Sequence, residues 1–136
     1  MLLILPRLTV LVPSGPESDP NRKHLFGVLT APYCEAGGVP SIAMVSFRSV
    51  NPALPYDQTC LLDKGDHRFI KHPTWVDDYG RARIEAAAAI ERGVKSGALV
   101  QQEPLSEAVF RRVTAGLCTS PMTPRKVSDF YLAATE

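Results

Sequence analysis

Ser41-Ile42-Ala43-Met44-Val45-Ser46-Phe47 is the stretch on which the reading of the fold turns. It follows the flexible Gly37-Gly38 and is an apolar run of strand length, so it reads as a β-strand. Its surroundings read the same way. Upstream, Leu8-Thr9-Val10-Leu11-Val12 is a β-rich run stopped by Pro13, and His24-Leu25-Phe26-Gly27-Val28-Leu29-Thr30 is a second run closed by Pro32. Between them, residues 13–21 are rich in Pro, Ser, Gly and Asp and read as an exposed polar loop. Downstream, Thr59-Cys60-Leu61-Leu62 is a short strand ended by the turn Asp63-Lys64-Gly65-Asp66, and Phe69-Ile70 and Trp75-Val76 complete the set around Pro73.

Beyond residue 78 the pattern changes. Residues 81–95 have high helix propensity, with Ile84, Ala87, Ala88 and Val94 near one face, Asp77 or Asp78 as a cap, and Gly93 and Gly97 loosening or ending the helix. Leu105, Val109, Val113 and Leu117 recur at four-residue spacing, which predicts an amphipathic helix lying on the sheet. Arg111, Arg112 and Thr114 fall on its opposite side. Thr123-Pro124 signals the start of a last helix bearing Val127, Phe130 and Leu132. The expected architecture is one α+β domain over residues 1–136. Its first part (1–78) is a small, strongly bent antiparallel sheet or barrel, and its second (79–136) a mainly helical addition.

Composition narrows the function classes. With 136 residues, 15 basic and 14 acidic side chains, and 45% apolar content, the chain suits a single globular core rather than a disordered one. The near-neutral balance argues against a broad DNA-coating surface but leaves room for a small nucleic-acid site. No apolar run reaches the roughly 18–20 residues of a spanning helix, and Met1 to Leu5 lack a basic start and meet Pro6 at once. The expectation is a cytoplasmic protein without membrane association. Cys34, Cys60 and Cys118 form an odd set with no close-spaced pair, which fits a reducing compartment.

The densest polar cluster is residues 63–72, with Asp63, Asp66, His67, His72 and three bases around Gly65. Placed in a strand, His67, Phe69 and Lys71 would share a face, offering a proton-transfer group beside an anion-binding cation. The competing reading is a solvated turn leading into a packed strand. Cys60, His67 and His72, with Cys34 or His24 as a fourth donor, are of zinc-ligand type but show no compact zinc signature, and Cys60 reads as a buried small hydrophobe. A second polar set has a basic pair, Arg22-Lys23, leading into His24, and Ser46-Phe47-Arg48 ending the third strand. If these strands are neighbours, Lys23, His24, Ser46 and Arg48 meet at one rim able to hold a phosphate. Tyr33, Tyr56 and Trp75 are candidate surfaces for unstacked bases, against core packing as the plainer reading.

This order of pieces resembles the MazF/PemK-type toxin family. The resemblance rests on a strand, a long loop, the basic pair leading into His24-Leu25-Phe26-Gly27-Val28-Leu29-Thr30, and Met44-Val45-Ser46-Phe47. It continues in Phe69-Ile70-Lys71-His72-Pro73-Thr74-Trp75-Val76 and in the helix from Leu105 to Val113. It covers residues 8–76 and 104–117. The family's opening Gly-Asp is absent, its Arg-Pro before the second strand is replaced by Lys23-His24, and residues 79–103 are an addition. The resemblance implies an SH3-like barrel and a metal-independent endoribonuclease, without cofactor, that cleaves single-stranded RNA through its own 2′-hydroxyl. It also implies a homodimer and an antitoxin protein as partner. Carried onto this chain, His24, His67 and Ser46 are the catalytic candidates, and Lys23, Arg48, Lys71 and Trp75 the substrate-binding ones. The alternative is a non-catalytic barrel module that binds a partner protein or RNA.

Overall fold

A computed structural model describes residues 3–13, 23–77 and 79–136. The polar loop expected over residues 13–21 lies, from residue 14 onward, outside the described residues, as does Asp78. The elements run β1 (Thr9–Pro13), β2 (Lys23–Val28), β3 (Ser41–Ser49), β4 (Leu61–Leu62), β5 (Thr74–Asp77), β6 (Arg83–Ala86), α1 (Ala87–Ser96), β7 (Val100–Gln102), α2 (Glu107–Thr119) and α3 (Arg125–Ala134), with a 3-10 turn at Tyr79–Arg81 before β6. The fold is α+β. Among the described residues, seven antiparallel strands form one sheet in the order β4-β5-β3-β2-β1-β7, with β6 also on β3. The sheet is open, because β4 and β7 stand at its two ends and no pairing joins them.

Strand β3 organises this sheet. One edge pairs with β2, while the other is divided between β5, opposite residues 46–49, and β6, opposite residues 41–44. Its side chains alternate between two cores. Ala43, Val45 and Phe47 join Leu25, Val76 and the inner faces of α2 and α3, whereas Ile42 and Met44 join Val28 and the inner face of α1. The stripe Leu105, Val109, Val113 and Leu117 is buried as its spacing predicts. Each such side chain contributes about 1.5–3 kcal/mol over leaving it exposed. Ser106 caps α2 by accepting the Val109 amide at 3.2 Å. No helix among the described residues is long and apolar enough to cross a membrane.

The structure departs from five local expectations. Residues 81–95 are not one helix, because residues 83–86 instead pair with β3 as β6, and α1 begins only at Ala87. A row of open hydrogen-bonding groups on β3 outweighs intrinsic preference there. The amide of Ala87 is satisfied by the Pro40 carbonyl rather than by an aspartate side chain, and Gly97 ends the helix in the left-handed conformation. Phe69-Ile70 is not a strand but the end of a turn, closed by the Ile70 amide on the His67 carbonyl at 2.9 Å. The last helix starts after Pro124, and the Thr123 hydroxyl donates to the Leu117 carbonyl instead of capping it. Thr114 is buried and donates to the Phe110 and Arg111 carbonyls, rather than sharing the exposed side with Arg111 and Arg112.

Candidate functional site

A cleft of about 540 Å³ opens at the end of the sheet where β2 and β5 begin and β3 ends. The β2–β3 register, with Leu25 opposite Phe47, brings Lys23 and His24 to the same end as Arg48 and Ser49. Of the rim that strand adjacency predicts, Lys23, His24 and Arg48 come together here and Ser46 does not. The β3–β5 register sets Ser49 opposite Thr74, and the Val50 amide donates to the Pro73 carbonyl at 2.8 Å. Those contacts lay residues 71–74 along the opposite wall, where Lys71 and His72 are exposed and Thr74 is buried, its hydroxyl donating to the His72 carbonyl at 2.8 Å. The described residues lining the cleft include Lys23, Arg48, Lys71, His24 and His72, and no carboxylate. Phe69 stands among them with 42% of its surface exposed, a large ring for a cationic setting.

His67 has a different position. It is 4% exposed, and both ring nitrogens have partners. Its Nδ1 accepts the Phe69 amide at 3.0 Å, so Nε2 carries the ring proton and donates to the Glu103 carbonyl at 2.8 Å. Thr9 Oγ1 donates to the same carbonyl at 2.7 Å, and the Arg68 amide donates to the Glu103 carboxylate at 2.8 Å. His67 therefore clamps the turn carrying Phe69 to the segment following β7. It does not line the cleft.

Two further candidates lie elsewhere. Ser46 is buried on β3, opposite Phe26 and Asp77, and does not line the cleft. Trp75 stands opposite Arg48 across the β3–β5 pair, but its ring packs on Tyr56 with centroids 6.0 Å apart and only 8% of the residue exposed. It faces a second pocket, not the cleft. Tyr33 packs edge-on against Phe130. Three lining residues, His72, Ser49 and Phe69, are not among the catalytic or substrate-binding candidates of the sequence reading, which weighs His72 only as a zinc donor. Their signal is proximity in sequence to Lys71 and Arg48: Ser49 is the strand residue after Arg48, and Phe69 and His72 flank Lys71 at the end of the turn.

The donors considered for zinc are dispersed. Cys60 is buried, its thiol pushed up by burial against a hydrogen bond to Tyr79 and the nearby Arg112 charge that pull it down. Among the described residues no group of three His, Cys, Asp or Glu is placed to hold a metal ion. Cys34, Cys60 and Cys118 are free thiols.

No protein-family model, curated protein or solved structure matches the chain.

Proposed function

We propose that the cleft binds single-stranded RNA and cleaves it by attack of the ribose 2′-hydroxyl on the adjacent phosphorus. The observation that carries this reading is the meeting of three cations and two imidazoles in one cleft whose described lining has no carboxylate. Such a lining suits phosphate, and a guanidinium can grip phosphate oxygens through two parallel hydrogen bonds. It lacks the carboxylates through which magnesium is ordinarily held. Exposed Phe69 offers a face on which an unpaired base stacks, a contact worth about 1–3 kcal/mol in single-strand binding.

The chemistry follows from the residue types. One imidazole of the pair His24 and His72 takes the proton of the 2′-hydroxyl as its oxygen bonds to phosphorus. Arg48, Lys23 and Lys71 stabilise the charge developing on the phosphoryl oxygens, and the other imidazole, protonated, gives its proton to the departing 5′-oxygen. The products are a 2′,3′-cyclic phosphate and a free 5′-hydroxyl. The reading retains the MazF/PemK-type proposal: an SH3-like sheet, a homodimeric toxin-type ribonuclease, and an antitoxin as partner. It reassigns the work of His67 to His72 and leaves Ser46 and Trp75 outside the reacting groups.

The test is incubation of long single-stranded RNA with the protein in excess chelator, beside His24→Ala, His72→Ala and a Lys23→Ala/Arg48→Ala double variant. Cleavage with cyclic phosphate ends, slowed about 100-fold or more by either histidine change, supports the mechanism. RNA binding without cleavage replaces it with the non-catalytic module. Absence of both binding and cleavage with the folded parent overturns the assignment.

A further inference from the structure

The second pocket, of about 670 Å³, is chemically unlike the cleft. Its walls are Tyr56, Trp75, Pro55, Pro121 and Met122, with the polar Gln58 and Thr59 on one side, and Asp57 is the one ionisable carboxylate or base among the described residues lining it. The Asp57 oxygens accept from the Thr59 amide at 2.9 Å, the Thr59 hydroxyl at 2.5 Å and the Ser120 hydroxyl at 2.6 Å. All three donors are uncharged. They fix the carboxylate without neutralising it, and use three of its roughly four acceptor positions.

An anion held beside the half-buried Tyr56 ring, with the small exposed part of Trp75 next to it, selects a cation, because an aromatic face and the carboxylate attract the same sign of charge. The type of cation follows from the walls. A primary ammonium or a guanidinium brings three to five N–H donors that must be satisfied on leaving water. Proline, methionine and ring carbons cannot do that, and the one acceptor position left on Asp57 and the Gln58 amide oxygen leave few partners for so many donors. A nitrogen shielded by methyl groups has no such donors, and its methyls gain from apolar contact. We infer that the pocket formed by Tyr56, Asp57, Trp75 and Met122 is a binding site for a quaternary ammonium group. Phosphate is disfavoured there by the Asp57 charge, which sets the pocket apart from the neighbouring cleft. The inference does not depend on the ribonuclease reading.

Trp75 is the only tryptophan in the chain, so its fluorescence reports on this pocket without interference. Choline chloride is titrated into the parent protein, beside potassium chloride and 3,3-dimethylbutan-1-ol, which replaces the charged nitrogen by carbon at nearly constant shape. Saturable change with choline, and affinity at least about 10-fold lower for the neutral alcohol, is expected. Asp57→Asn, checked for folding by circular dichroism, should weaken choline by a similar factor. A trimethyllysine peptide forms a further arm: tighter binding than choline assigns the group to a protein partner, and equal binding to a free small molecule. Equal response to choline and its neutral analogue, or no saturation by choline, overturns the inference whatever the variant does.

Discussion

Gly116 lies on α2 where the helix meets Tyr79, a residue with no exposed surface. A methyl group at this position would sit 2.7 Å from Tyr79 Cζ and closer still to its hydroxyl oxygen. That hydroxyl donates to the Val113 carbonyl at 2.9 Å. Intrinsic preference alone says that Gly116→Ala should stabilise a helix interior by about 1 kcal/mol. Against it stand overpacking, at about 1–3 kcal/mol, and displacement of a buried hydroxyl from its acceptor, at about 1–3 kcal/mol. The balance is a net loss of about 3 kcal/mol, a large part of the roughly 5–15 kcal/mol that holds a domain together. Equilibrium urea denaturation is the assay, and the midpoint should fall by about 1–3 M. Tyr79→Phe supplies the control. In that background the hydroxyl is gone, so Gly116→Ala should cost measurably less than in the parent. A Gly116→Ala protein as stable as the parent, or more so, would refute the packing argument.

Other expectations follow from the same contacts. His67→Ala should lower stability by about 1–3 kcal/mol in a thermal or urea melt, because the Phe69 amide loses its acceptor and the Glu103 carbonyl keeps only the Thr9 hydroxyl of its two side-chain donors, and an unchanged melt would remove the clamp. Lys71→Ala should weaken single-stranded RNA binding and reduce the slope of log affinity against log salt by about 0.7, measured by fluorescence anisotropy at several salt concentrations. Partial desolvation pushes the Asp57 carboxyl up, but its hydrogen bonds from Ser120 and Thr59 outweigh this and hold it below the usual 3.8. Its contribution to stability is then present above the unfolded-state value and lost as pH falls through the folded one. Ser120→Ala should move the Asp57 titration upward in an NMR pH series. A thiol reagent should label Cys34 and Cys118 quickly, with Cys60 reacting only on unfolding, because Cys60 is buried and its thiolate disfavoured.

The legibility of this fold in its sequence varied with how local the deciding contacts are. The first three strands are apolar runs between prolines and glycines, and α2 announces itself by a four-residue stripe, so each was readable from its own residues. β6 and β7 were not. Residues 83–86 carry helix-forming side chains and become strand only because β3 presents an open edge, and Val100-Gln101-Gln102 is three residues paired with β1 some ninety positions away. The site divides in the same way. The rim of Lys23, His24 and Arg48 follows from two neighbouring strands and was anticipated. The burial of His67 depends on Glu103, thirty-six residues later, and nothing within 63–72 marks it. Trp75 likewise is covered by Tyr56, through the arrangement of a segment whose strand is only Leu61–Leu62.

The long-range pairing of β1 with β7 bears on the order in which a growing chain acquires its shape. β1, β2 and β3 are consecutive neighbours and can associate once residue 49 has left the ribosome, but the outer edge of β1 then stays open until residues 100–102 arrive. At about 5–20 residues per second, that gap lasts roughly 3–10 s. During it an unpaired strand edge is available for pairing with another chain. The Glu103 carbonyl that anchors His67 emerges immediately afterwards, so the turn presenting Phe69 gains its anchor only once β7 can cover the edge of β1. A nascent chain therefore carries an open sheet edge before it carries a finished cleft, and synthesis rate sets how long that interval lasts.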